Sequence, residues 1–365
     1  MPDADHDWNR MPWWCWAAPF AACILLAAKF AGFAPSANPF VIGAAALLLG
    51  GAVFATVHHA EVLAVRIGEP FGSILLALAI TTLEIGLIIS VMASGSPGVD
   101  AVARDTVYSV VMIVLNGIVG VCLVAGAALH YEQAFRVQGA SAILSVIATL
   151  AIVALVLPNF TLADPGPRYA ASQLLFVGAV SFCLYVVFVF VQTVRHKADF
   201  IMQTAVAHHN TKPNARSTIA SAVLLLISLI VVILLAKTLS PVVERAVSDA
   251  GLPLAVVGVV IAVVILLPEG VTAFVAAKRN RLQTSLNASL GSALASIGVT
   301  VPIVGSASVY MGQPLTLGLA ERDMVLLLLT LFVSTLTFAT GRTTVLQGAV
   351  HLVIFGVFLF LAAVP

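Results

Sequence analysis

The stretch ITTLEIGLIIS, Ile80 to Ser90, is a run of hydrocarbon side chains broken by one carboxylate, Glu84. A second run, ILLPEGVTAFV from Ile265 to Val275, repeats the pattern with Glu269. Both acids fall in the interior of segments apolar enough to span a bilayer, where a carboxylate costs about 2.5–3.5 kcal/mol on insertion scales. Two such acids are costly as passive filler, and they point to the handling of protons or cations. The bland alternative is a protonated Glu hydrogen-bonded to a neighbouring helix.

Composition sets the class. Of 365 residues 61% are hydrophobic and 9% charged, with a mean hydropathy of +1.10, whereas a soluble domain carries about a quarter charged residues. The chain therefore reads as an all-α membrane protein. A net charge of +1 leaves no cationic surface for nucleic acid, which needs clustered Lys and Arg. The four cysteines, Cys15, Cys23, Cys122 and Cys183, lie in apolar segments without ligand spacing or a disulfide framework. The leading MPDADHDWNR is acidic where a secretory signal is basic, so the first apolar run reads as a retained helix.

At roughly 20 apolar residues per span, the chain predicts eleven spans: 13–33, 39–60, 70–94, 105–129, 139–158, 169–194, 218–240, 253–277, 283–305, 322–341 and 345–363. Trp13, Trp14 and Trp16 mark the first membrane edge. With the N-terminus inside, eleven Lys and Arg fall on the cytoplasmic side and six outside, which predicts a cytoplasmic N-terminus and an external C-terminus. Residues 195–217, with His196, His208 and His209, read as a cytoplasmic connector, a pH- or metal-sensing segment being the alternative.

An internal repeat accompanies the two acids. EPFGSILLALAITTLEIGLIIS and LPLAVVGVVIAVVILLPEGVTAFVA each reach their Glu well after a proline, and at an offset of 180 VYSVVMIVLNGIVG aligns with NASLGSALASIGVT, placing Asn116 opposite Ser296. The Glu84 span runs inward to outward by the span count and the Glu269 span the reverse. This divides the chain into a tail and extra N-terminal helix at 1–38, a five-helix repeat at 39–194, the linker 195–217 and an inverted five-helix repeat at 218–365. Inverted repeats characterise secondary transporters and bring a site to the midplane.

Desolvation favours the protonated acids and a bound cation favours the ionised ones, so protons and cation compete for a shared Glu84 and Glu269 site. Helical spacing adds a candidate lining. Thr81 is one turn before Glu84, Thr272 one turn after Glu269, and Pro268 frees a backbone carbonyl beside its acid. Ser285, Ser289, Ser292 and Ser296 make a hydroxyl stripe on one helix face, and Asn116 pairs with Ser109 on another; small hydroxyl residues also serve plain helix packing. Of these, Thr81, Asn116, Pro268, Thr272, Ser289, Ser292 and Ser296 are the expected accessory residues. His58, His59 and Glu61 suggest an entry vestibule or surface polar groups, because adjacent histidines diverge by about 100° on a helix and do not easily share one ion. His351, inside the last span, reads as a hydrogen-bonded packing residue. Nucleotide-binding and hydrolase motifs have no usable context here, so an enzyme is not expected.

Three stretches carry a resemblance: AEVLAVRIGEPFGSILLALAITTLEIGLIIS, LPEGVTAFVAAKRNRLQTSLNASLGSALASIGVTVPI and GRTTVLQGAVHLVIFGVFLF. With them the chain resembles the calcium/cation exchanger superfamily, and within it the bacterial calcium(sodium)/proton antiporters. The resemblance implies Glu84 and Glu269 as cation and proton ligands, with Asn116 and the Ser292 region beside them. Where the family often has Gly-Asn before the Glu, this chain has Ile80-Thr81 and Ile265-Leu266. The missing amide oxygens are ligands that calcium, with six to eight oxygens, would use, which puts sodium and potassium beside calcium as expected cargo. The expectation is an alternating-access antiporter needing no organic cofactor, its partners being small inorganic cations, protons and the lipid bilayer. A cation channel or a small-solute transporter with proton-coupling carboxylates is the alternative.

Overall fold

The computed structural model describes residues 11–33, 38–68, 71–93, 99–200, 213–253 and 255–364. Among these it contains eleven helices long and apolar enough to cross a membrane. They are α1 (Trp13–Phe30), α2 (Pro39–Ile67), α3 (Ile74–Met92), α4 (Asp100–His130), α5 (Val137–Phe160), α6 (Ala171–Arg195), α7 (Ala215–Asp249), α8 (Val256–Lys278), α9 (Leu282–Met311), α10 (Glu321–Ala339) and α11 (Val345–Ala363). Several outrun the expected limits, α7 by the widest margin, because a helix continues past the hydrocarbon wherever its backbone hydrogen bonds are kept. Glu61 therefore lies within α2 rather than at its end. Of the linker histidines, His196 is described and pairs with Asp199 at 3.5 Å; His208 and His209 lie outside the described residues.

Two compact units take their helices from both halves of the chain, one from residues 2–95 and 208–257, the other chiefly from 96–207 and 258–365. In the first, α2 packs on α1, α3 and α7. Ala60, Ala79 and Leu225 form a small apolar cluster where α2, α3 and α7 meet. Pro19 inside α1 has no N–H to give to the carbonyl of Cys15. His59 fills that vacancy: its Nε2 is 3.1 Å from the Cys15 oxygen, and its Nδ1 is 3.3 Å from Ser221 Oγ on α7. The carbonyl can only accept, so Nε2 carries the proton and Nδ1 accepts from Ser221. His59 is fully buried and staples three helices. This corrects its expected place in a vestibule: the carbonyl left open by Pro19 draws the imidazole inward. His58 packs edge-on against Trp14.

In the second unit the packing crosses between halves. α4 lies along α11, and α9 lies along α6. Glycines permit both approaches: a methyl on Gly348 would lie 2.7 Å from Val124 N and 2.9 Å from Gly120 O, and one on Gly298 would lie 2.8 Å from Tyr185 Cβ. Both α4 and α9 are interrupted by π-helical turns, at Ile113–Ile118 and Ser296–Thr300. These are the segments that the repeat aligns.

The loops of this unit gather at two ends. At one, β1 (Gln133–Ala134) pairs antiparallel with β2 (Arg342–Thr343), and Gln133 Nε2 donates to Ala277 O at 2.8 Å and to Asn280 Oδ1 at 3.1 Å. At the other, Thr316 Oγ1 donates to Asp100 Oδ2 at 2.8 Å, and Arg168 Nε reaches Thr316 Oγ1 at 3.3 Å. Tyr169 nearby donates to Val153 O at 2.6 Å; burial pushes its hydroxyl up to about 12, so it remains a donor through the neutral range.

Two stability outcomes follow. Gly348→Val is expected to cost about 1–3 kcal/mol by overpacking, read as a lower midpoint of thermal unfolding in detergent. His59→Leu, which strands the Cys15 carbonyl and the Ser221 hydroxyl, is expected to cost about 1–3 kcal/mol in the same measurement, whereas Ser221→Ala costs less because the imidazole keeps its carbonyl.

Candidate cation site

Glu84 sits in the interior of α3, in the first unit, and is 3% exposed. Gly86, two residues on, has no side chain, and Ile233 of α7 packs into the space a methyl would occupy. Thr81 is also buried, and its hydroxyl donates to Ala77 O one turn back at 2.9 Å. A donor committed to its own helix leaves the oxygen's lone pairs as the part still able to meet an ion.

Glu269 sits in the interior of α8, in the second unit, and is 9% exposed. Pro268 precedes it inside the helix and removes the N–H that the carbonyl of Val264 would otherwise receive. Gly270 follows, close enough to α4 that an added methyl would touch Ile118 at 3.4 Å. Cys122 of α4 packs with Ala273 and Ala277 of α8, one and two turns further along. Thr272 differs from its neighbours: it is exposed, and its hydroxyl donates to Pro268 O at 3.1 Å.

The α9 stripe is as the spacing predicts. Ser285, Ser289, Ser292 and Ser296 are all buried, with Ser289 Oγ donating to Ser285 O at 2.8 Å. Ser296 opens the π-turn.

Asn116 lies in the π-turn of α4, fully buried, in a side-chain network. Its Nδ2 donates to Thr330 Oγ1 at 2.9 Å, and its Oδ1 is 3.2 Å from His351 Nδ1. His351 Nε2 is 3.1 Å from Thr337 Oγ1, so the expected hydrogen-bonded role of His351 is met and its partners are now identified. Thr330, Ser334 and Thr337 are a second hydroxyl stripe, on α10 and wholly buried. The sequence reading leaves it unnamed, although its spacing of four and three residues is the signal that marks the α9 stripe.

These candidate residues lie on α3 in the first unit and on α4, α8 and α9 in the second, and all but Thr272 and Pro268 are buried polar side chains. Among the described residues no group of three or more His, Cys, Asp or Glu is arranged to hold a metal ion.

Known proteins resemble this chain at two levels, fold and sequence. The structure overlays the H+/Ca2+ exchanger CAX with a TM-score of 0.72 over 97% of this chain and 89% of that one, at 14% identity, a likeness of fold. In sequence, the chain is 36% identical over 329 residues to the sodium-potassium/proton antiporter ChaA of Escherichia coli (strain K12), covering 88% of this chain and 89% of that protein. It is 53% identical over 357 residues to a protein named as ionic transporter y4hA of Sinorhizobium fredii (strain NBRC 101917 / NGR234), covering 98% and 97%. The family model described as sodium/calcium exchanger protein matches residues 38–194 and 220–364, and the chain belongs to that family.

Proposed function

We propose that the protein exchanges a small inorganic cation for protons by alternating access, with Glu84 and Glu269 as the carboxylates on which the two compete. The observation that carries this reading is the burial of both acids within apolar helices. An ionised carboxylate there needs a compensating positive charge, and either a proton or a cation supplies it. Coupling then needs no further device, since the ion that binds displaces the other. The inverted-repeat pattern of the sequence supports the reading, because such repeats present one site to each side in turn. The charge count supports a cytoplasmic N-terminus.

Sodium and potassium are the proposed cargo, with calcium beside them. The E. coli relative is named for sodium and potassium, and Ile80-Thr81 and Ile265-Leu266 supply no side-chain amide oxygens near either acid. Neutral hard oxygens are what calcium, with its high coordination number, would require in quantity. Ser289, Ser292, Ser296, Thr81 and the carbonyl freed by Pro268 are the proposed neutral ligands.

In everted vesicles carrying an imposed pH gradient, Glu84→Gln and Glu269→Gln are each expected to reduce cation-evoked proton efflux by at least about 100-fold, the scale of losing one partner of a buried charge pair. The wild-type KM for the cation is expected to rise as pH falls, because protonation removes the carboxylate charge that holds the cation. Exchange that survives in both Gln variants, or a pH-independent KM, contradicts the assignment. A panel of sodium, potassium and calcium salts in the same vesicles identifies the cargo.

A further inference from the structure

The hydrogen bonds around Asn116 run in one direction. Thr330 Oγ1 donates to Met112 Sδ at 3.5 Å, so it accepts from Asn116 Nδ2. That turns Asn116 Oδ1 toward His351 Nδ1. A carbonyl oxygen only accepts, so Nδ1 carries the imidazole proton, and Nε2 accepts from the Thr337 hydroxyl. Five buried side chains from α4, α10 and α11 form one continuous chain. The Asn116 amide hydrogens are directed to Thr330 and, at 3.8 Å, to Met112 Sδ, and its oxygen is engaged by the imidazole.

This chain closes on a π-helical turn, Ile113–Ile118. Such a turn holds one residue more than the α-helix it interrupts, and regularising it would rotate the helix beyond it by about 100°. The aligned turn of α9 is held differently. There Gly298 seats against Tyr185 of α6, and the buried hydroxyls of Thr300 and Ser181 make no hydrogen bond.

We propose that His351 is a positioning residue of the exchanger: it fixes the Asn116 carboxamide, and with it the π-turn of α4, so that Asn116 serves as a strut of the transport path and not as a cation ligand. This deepens the reading above and rests on it. A strut governs how fast the helix cycles between states, so its loss lowers the maximal rate and leaves cation affinity in place. A ligand does the reverse.

Two measurements test this. In 15N-histidine-labelled protein, with the His351 signal assigned by its loss in His351→Gln, the proton is expected on Nδ1, whereas His59 serves as the internal contrast with its proton on Nε2. Asn116→Ala is expected to move the His351 signal and leave that of His59 unchanged. In proteoliposomes, His351→Leu is expected to lower the maximal exchange rate about tenfold with the cation KM unchanged within about twofold, while His351→Gln, which offers one donor and one acceptor, recovers most of the rate. Should His351→Leu fail to fold, Thr337→Val carries the same comparison of rate and KM. The proposal is overturned by an Nε2-protonated His351, by a KM that rises in step with the loss of rate, or by a wild-type rate in His351→Leu beside an inactive Glu269→Gln. Exchange that survives in Glu269→Gln overturns the carboxylate reading instead, and the tautomer then decides the positioning of Asn116 by itself.

Discussion

Everything in this molecule is arranged around the cost of leaving a polar group without a partner in hydrocarbon. The bilayer offers no water to a stranded N–H, C=O or carboxylate, so an interruption of a helix is costly unless a side chain from elsewhere meets it. Pro19 opens a carbonyl and His59 closes it. The π-turn at Ile113–Ile118 carries Asn116 into the interior, and Thr330 and His351 receive it. The two glutamates carry the costliest groups to bury, and the exchange proposed above would give each a proton or a cation as compensation.

Polar chemistry of this kind needs precise placement, and small residues provide it. Gly348 and Gly120 bring α11 and α4 into backbone contact, at the spacing where helices in lipid gain from van der Waals packing and from interhelical hydrogen bonds. The Asn116 network joins the same two helices to α10. Close approach positions the polar groups, and the hydrogen bonds then fix the register of the approach.

The number of helices, their order and the two acids were legible in the sequence because hydropathy at span length is a strong signal and a Glu within it a rare one. The α9 serines were legible from their spacing. The role of His59 was not, since its partners are a carbonyl on α1 and a serine on α7, far away in the chain; the visible half of the clue was Pro19, which announces an open carbonyl without saying what fills it. The partners of Asn116 were hidden for the same reason. Thr272 shows what spacing leaves out: it stands one turn from its Glu as Thr81 does, yet it is exposed where Thr81 is buried. Spacing along one helix specifies a face, and it takes the neighbouring helices to say what that face meets.

The antiparallel clasp of β1 and β2 bears on how the molecule is made. Gln133 and Ala134 emerge from the ribosome long before their partners Thr343 and Arg342, and chains fold from the N-terminal side as they are synthesised. Until the last hairpin enters the lipid, the groove along α4 that receives Gly348 stands open to acyl chains, and the Asn116 amide awaits its imidazole. α11 is therefore a late-made helix that completes contacts begun by an early one.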